Sequence, residues 1–202
     1  MNVKICGITD CKTAQFAIEA GADAIGFVFA ESKRQISVSK AKEIIQTLPK
    51  HILKIGVFVN ETKENLESIF EEVGLTHLQL HGDESPSFCQ SLRYPVIKAI
   101  RIDSESDINQ IAAYSCDYIL VDSPLGPYRG GNGTTFDWNL LINKNIERKL
   151  ILAGGLTIDN VLLASEIVSP VMVDVSSGVE TDGKKDEKKI EAFIKTVKRG
   201  GI

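Results

Sequence analysis

The chain has 202 residues, 43% of them hydrophobic and 6% aromatic, which is enough to bury a sizeable core. No apolar run approaches the roughly 18 residues of a membrane-spanning helix, so no membrane partner is expected. A net charge of −4 with basic residues spread along the chain argues against a nucleic-acid surface, so an anion would be held by a local site and not by the global field.

In chain order, the first apolar run is "VKICGI" (3–8), followed by helical spacing over 11–20. Strand-like runs recur at 24–29, 53–59, 77–82, 96–102, 118–123, 149–156 and 171–178, giving eight in all. Helical segments at 40–48, 63–73, 86–92, 105–114, 158–167 and 187–197 alternate with them. Thr62, Ser104 and Thr157 stand where N-caps belong, Ser85-Pro86 adds a cap with proline at the first helical position, and "AGAD" and "EVGL" place glycine at helix exits. The strands are apolar along most of their length, as strands covered on both faces are, so a parallel sheet is expected.

Eight such units predict one (β/α)8 barrel domain over 1–202; a doubly wound sheet is disfavoured because no G-x-G-x-x-G follows the first strand. The glycine-rich stretch 123–138 is long for a connection and is expected to be a lid. Four cysteines, Cys6, Cys11, Cys89 and Cys116, fit neither zinc-ribbon nor C-x-x-C spacing and read as free thiols. No secretory pattern is visible, and a cytoplasmic location is expected.

Alternation along a strand puts Lys4, Cys6 and Ile8 on one face of the first strand, and Leu120 and Asp122 on one face of the sixth. Taken alone, Cys6 reads as core packing, whereas an aspartate in an apolar run needs a partner or a function. "LAGGL" and "DVSSGVE" end the last two strands, where barrels of this type commonly bind phosphate. The N–H groups of Gly154, Gly155 and Gly178, the hydroxyls of Ser176 and Ser177, and a short helix from about Val179 are expected to form the cup. Arg34 after the second strand suits a planar, bidentate clamp for a carboxylate. His77, Gln79 and His81 share a strand face; His81, at the strand end, is the functional candidate of the two histidines, and no metal is expected.

Together "KICGIT", "GFVF...SKR.IS", "LQLHGDE", "LVDS...GGNGTTFDW", "LAGGL" and "DVSSGVE" resemble the phosphoribosylanthranilate isomerase family of tryptophan biosynthesis. The resemblance runs from the first strand to the eighth. It implies a cofactor-free Amadori rearrangement of N-(5-phosphoribosyl)anthranilate to the 1-deoxyribulose 5-phosphate product, with Cys6 as general base and Asp122 as general acid. It also implies Arg34 at the anthranilate end, the two glycine loops at the phosphate, and Asp174 orienting the substrate or bracing the rim; His81 is expected to bind substrate from its place at the strand end. One departure is Lys33, where the family often has proline.

A free cysteine with pKa ~8.5 is about 3% thiolate at pH 7, and a free aspartate with pKa ~3.9 is protonated roughly once per thousand molecules. The expected arrangement is therefore burial that keeps Asp122 protonated and nearby positive charge that favours the Cys6 thiolate. Other phosphosugar barrels share the phosphate end, and a catalytically silent metabolite sensor is the non-enzyme alternative. A monomer is favoured, with a homodimer as the alternative.

Overall fold

The computed structural model describes residues 1–123, 135–142, 144, 146 and 148–200. Eight parallel strands run β1 (Asn2–Cys6), β2 (Ala24–Val28), β3 (Leu53–Phe58), β4 (His77–Leu80), β5 (Val96–Arg101), β6 (Tyr118–Asp122), β7 (Lys149–Leu152) and β8 (Met172–Val175). They pair in sequence order, and β8 returns to β1 with Lys4 opposite Asp174, closing the barrel. The α-helices are α1 (Cys11–Glu19), α2 (Val38–Gln46), α3 (Lys63–Val73), α4 (Pro86–Ser91), α5 (Glu105–Gln110), α6 (Val161–Val168) and α7 (Glu187–Gly200). Between β6 and β7 the described residues contain one 3-10 turn, Trp138–Leu141. Most of the expected lid, 124–134, lies outside the described residues.

The period of two along each strand sorts residues into two cores. Ala24, Ile55, Ile97, Ala99, Leu120, Ile151, Ala153 and Met172 fill the barrel interior. Their neighbours, among them Val3, Ile5, Ile25, Leu78, Val121 and Val173, lie in the larger core that includes buried residues of the helices. Lys4 and Cys6 face inward with the first set, since a Cβ added to Gly26 on β2 would sit 2.7 Å from Cys6 Sγ and 2.9 Å from Lys4 Cε. Ile8 does not share their face. The chain turns at Gly7, φ +80°, after β1 has ended, and Ile8 joins the outer core.

Local chemistry sets the helix starts. The side chains of Asp10, Ser37, Thr62 and Ser85 each accept from a backbone N–H of the first helical turn, while Gly74 ends α3 in the left-handed region. The sixth α-helix starts later than expected from Thr157, because Asn160 is its N-cap. The Asn160 side chain is occupied in the preceding loop, accepting from Thr157 N at 2.8 Å and donating to the Gly155 carbonyl at 3.0 Å. β7 and β8 stop at Leu152 and Val175, short of the expected 156 and 178, so the glycine segments lie outside the sheet.

A second correction concerns the stretch after β8. No helix begins near Val179; a 3-10 turn, Ser177–Val179, ends there, and the chain forms a small antiparallel hairpin of β9 (Glu180–Thr181) and β10 (Lys184–Lys185). Asp182 and Gly183 make its turn at φ +51° and +75°, the backbone that an Asp-Gly pair favours.

Candidate active site

A cavity of about 640 Å³ opens at the C-terminal ends of the strands, where barrels of this kind carry their chemistry. Cys6 from β1, Asp122 from β6 and Asp174 from β8 line it, together with Arg34, Gln79, His81, Gly154, Gly155, Ser176 and Ser177. All the expected site residues except Gly178 therefore meet at one pocket. Gly178 serves loop contact: a Cβ there would sit 1.9 Å from the Leu156 carbonyl oxygen, so the loops after β7 and β8 can touch only because it is glycine. Gly154, at φ +84°, is also a close-approach residue, since a Cβ would lie 2.5 Å from Ser123 N and 2.9 Å from Asp122 Oδ1.

Asp122 is 3% exposed and its carboxylate is held from two sides. Ser123 N donates to Oδ1 at 2.8 Å, and His81 Nε2 lies 3.1 Å from Oδ2. Gln79 Nε2 lies 3.1 Å from His81 Nδ1, and Gln79 Oε1 accepts from Lys4 Nζ at 2.6 Å. Lys4 is fully buried and also donates to Asp174 Oδ2 at 2.9 Å. The other oxygen, Asp174 Oδ1, is buried with no hydrogen-bond partner among the described residues. His77 stays apart at the opposite end of β4, edge-on to Tyr118 with ring centroids 5.7 Å apart.

The expectation that Cys6 is tuned toward thiolate is reversed. Burial pushes the Cys6 thiol up; Lys4 and Lys185 pull it back, Asp174 adds to the rise, and the net direction is upward from 9.0. The reason is burial: charging a sulfur closed to water costs more than the nearby Lys4 ammonium, itself paired with Asp174 at 2.9 Å, gives back. Alkylation of Cys6 by iodoacetamide, followed by peptide mass mapping, is expected to keep accelerating beyond pH 9. A plateau below pH 8 would contradict a raised thiol.

Two expectations about donors are also corrected. The Ser176 hydroxyl donates its one proton to the Cys6 carbonyl at 3.1 Å and accepts from Lys185 Nζ at 3.1 Å, so it is not a spare donor for a ligand. The fork of Arg34 is engaged within the protein: Nε and Nη2 donate to Glu180 Oε1 and Oε2 at 2.7 and 2.8 Å. The Nε/Nη2 edge therefore faces Glu180, and among the described residues both N–H groups of Nη1 and the second N–H of Nη2 are left for a ligand. Although burial pushes the Glu180 carboxyl up, Arg34 and Lys185 hold it below its ordinary range. Gly7 makes room for this arrangement, because a Cβ there would sit 2.5 Å from Arg34 Cδ.

Gly7, Gln79, Glu180 and Lys185 are thus site residues that residue types alone did not single out. Only the hairpin carried a readable signal, the Asp-Gly pair at 182–183 between short flanks.

A closed (β/α)8 barrel whose rim pocket joins a buried thiol to a carboxylate–imidazole pair defines the class of barrel enzymes equipped for acid–base chemistry. Sequence comparison narrows that class. The family model described as N-(5'-phosphoribosyl)anthranilate (PRA) isomerase matches residues 3–196, and the chain belongs to this family. It is 59% identical over 196 residues to an N-(5'-phosphoribosyl)anthranilate isomerase of Bacillus cereus (strain G9842), covering 96% of each chain. Among solved structures, phosphoribosyl anthranilate isomerase from Thermotoga maritima matches with a TM-score of 0.92 at 42% identity, covering 98% of this chain and 99% of that one. A phosphoribosyl anthranilate isomerase in complex with reduced 1-(o-carboxyphenylamino)-1-deoxyribulose 5-phosphate matches with a TM-score of 0.89 at 41% identity, covering 98% and 99%. A third match, monomers generated from the dimeric Thermotoga maritima enzyme, has a TM-score of 0.89 at 40% identity and the same coverage.

Proposed function

We propose that this chain, as one barrel domain without a cofactor, converts N-(5'-phosphoribosyl)anthranilate into 1-(2-carboxyphenylamino)-1-deoxyribulose 5-phosphate, a step of tryptophan biosynthesis. The observation that carries this reading is the meeting of Cys6 and Asp122 at one rim pocket, with the solved relative that holds the reduced product beside it. Asp122 delivers a proton to the furanose oxygen as the C1–O bond breaks; the bond's electron pair leaves on that oxygen, and the anilinic nitrogen lone pair forms the C1=N bond. Cys6 then removes the C2 proton, the C–H electrons form C1=C2, and the C=N pair returns to nitrogen. The resulting enolamine becomes the ketone as its C2 hydroxyl gives its proton to the Asp122 carboxylate and C1 takes one from the Cys6 thiol, which restores both groups.

The rest of the pocket fits the two ends of that substrate. Gly154, Gly155 and Ser177 line one side, and no described acceptor takes the Gly154 or Gly155 N–H, which suits a phosphate. Arg34 Nη1 faces the anthranilate carboxylate beside an apolar wall of Phe29, Val57 and Val59. The unpartnered Asp174 Oδ1 accepts from a sugar hydroxyl, which relieves a buried oxygen worth about 1–3 kcal/mol when unpaired. Turnover of phosphoribosylanthranilate followed by loss of anthranilate-type fluorescence tests the reading; no turnover by the purified chain would sink it. Glu180→Gln leaves one acceptor for the two Arg34 donors and turns an NH2 against the other, so the guanidinium loses its fixed aim. KM is expected to rise about tenfold with a smaller change in kcat, about 1.4 kcal/mol of binding; an unaltered KM would remove Glu180 from this role.

Among the described residues no helix is long and apolar enough to cross a membrane, and the expected location is cytoplasmic. We favour a monomer. Ile158, Leu162 and Leu163 are exposed on and beside α6, an apolar patch that supports a homodimer as the alternative. Sedimentation equilibrium separates the two.

A further inference from the structure

The polar side chains inside the upper barrel form a single chain of hydrogen bonds whose direction is set from one end. The Lys4 ammonium can only donate. Burial disfavours its charge, but Asp174 and Cys6 outweigh that and hold Lys4 protonated. Its contact with Gln79 at 2.6 Å therefore identifies Oε1 as the Gln79 atom facing it. The opposite amide orientation would press an NH2 group against an ammonium in a site where Gln79 is 1% exposed. Gln79 Nε2, which only donates, is thereby left at 3.1 Å from His81 Nδ1. Nδ1 must accept, so the ring proton belongs on Nε2, at 3.1 Å from Asp122 Oδ2.

We propose that Gln79 is a positioning residue that relays the donor direction of Lys4 through its amide, holding His81 as the neutral Nε2–H tautomer and as a donor to Asp122. The proposal rests on the reading of Asp122 as the acid. A tautomer with its proton on Nδ1 would turn a basic nitrogen toward Asp122 Oδ2 and compete with the substrate for the proton that Asp122 must deliver. The Nε2–H tautomer does the reverse: it has no lone pair there, and its N–H stabilises the carboxylate that forms as the ring opens. The carboxylate side of Asp122 is completed by Ser123 N at Oδ1.

The test is a nitrogen-15 NMR measurement on the full chain labelled at histidine. The sequence has three histidines, His51, His77 and His81, and the His81 signals are identified by their loss in His81→Asn. In the wild type, His81 is expected to show an unprotonated Nδ1 and a protonated Nε2. Gln79→Glu replaces the donor with an acceptor and is expected to move a proton onto Nδ1, with kcat falling about 100-fold and KM changing less than about threefold. Should that variant fail to fold, Gln79→Met keeps the volume but neither hydrogen bond and is expected to lose the single tautomer. A protonated Nδ1 in the wild type overturns the proposal by itself. So does a His81 spectrum unmoved by either variant, or a switched tautomer with undiminished kcat. Undiminished turnover in Asp122→Asn alongside the expected wild-type spectrum would instead overturn the acid assignment and leave the tautomer result standing.

Discussion

Asp122→Asn is expected to lower kcat by about 10²–10⁴-fold, the usual worth of a general acid, with little change in KM. Asparagine keeps the shape of the side chain and its place at the end of β6, but it has no acidic proton to give to the furanose oxygen. A second consequence separates this variant from a simple loss of function. The wild-type carboxyl takes two donors, Ser123 N on Oδ1 and His81 Nε2 on Oδ2, at 2.8 and 3.1 Å. An amide has one acceptor oxygen, so one of the two N–H groups faces another donor in a site almost closed to water, a cost of about 1–3 kcal/mol. Urea unfolding should therefore show a modest loss of stability in the same variant, while steady-state kinetics show the large one. Wild-type turnover would remove Asp122 from the acid role.

Cys6→Ser is the counterpart, with an expected loss of similar size, about 10²–10⁴-fold in kcat. The two side chains differ by one atom, and serine fits above Gly26 at least as easily as sulfur does. The difference lies in acidity. Burial already raises the thiol, and Lys4 with Lys185 restores only part of what is lost; a hydroxyl starts far higher and those charges cannot bring it into range. Binding should survive, because neither the glycine loops nor Arg34 depends on the sulfur. A Cys6→Ser enzyme with more than about a tenth of wild-type kcat would contradict a base worth at least 10²-fold.

How much of this was readable in the residues follows from what each inference needed. Alternation along an extended strand is a local property, so the inward faces of Lys4, Cys6, Leu120 and Asp122 were legible, and so were the eight strands. The rule failed at Ile8, because one glycine at φ +80° ends the alternation. Caps were legible where a side chain serves its own helix, as at Thr62 and Ser85, and misplaced at Thr157, where the N-cap is Asn160 and its side chain bonds the loop behind it and not the helix. The Arg34 and Ser176 donors read as free in the sequence because what they meet is distant along the chain: Glu180 of the hairpin for Arg34, and the Cys6 carbonyl of β1 for Ser176. The direction of the hydrogen bonds from Lys4 to Asp122 joins β1, β4 and β6, and no spacing along the chain encodes which atoms of Gln79 face which neighbour.

The division of labour between the two rim groups has a direct chemical readout in a single-turnover trap with cyanoborohydride, which reduces the open-chain imine. With Cys6→Ser, ring opening by Asp122 still proceeds while C2 deprotonation stalls, so reduced phosphoribitylanthranilate should accumulate well above the enzyme-free background. With Asp122→Asn the ring stays closed, and the yield should remain near background. Equal yields from the two variants, or the larger yield from Asp122→Asn, would contradict the assignment of acid and base.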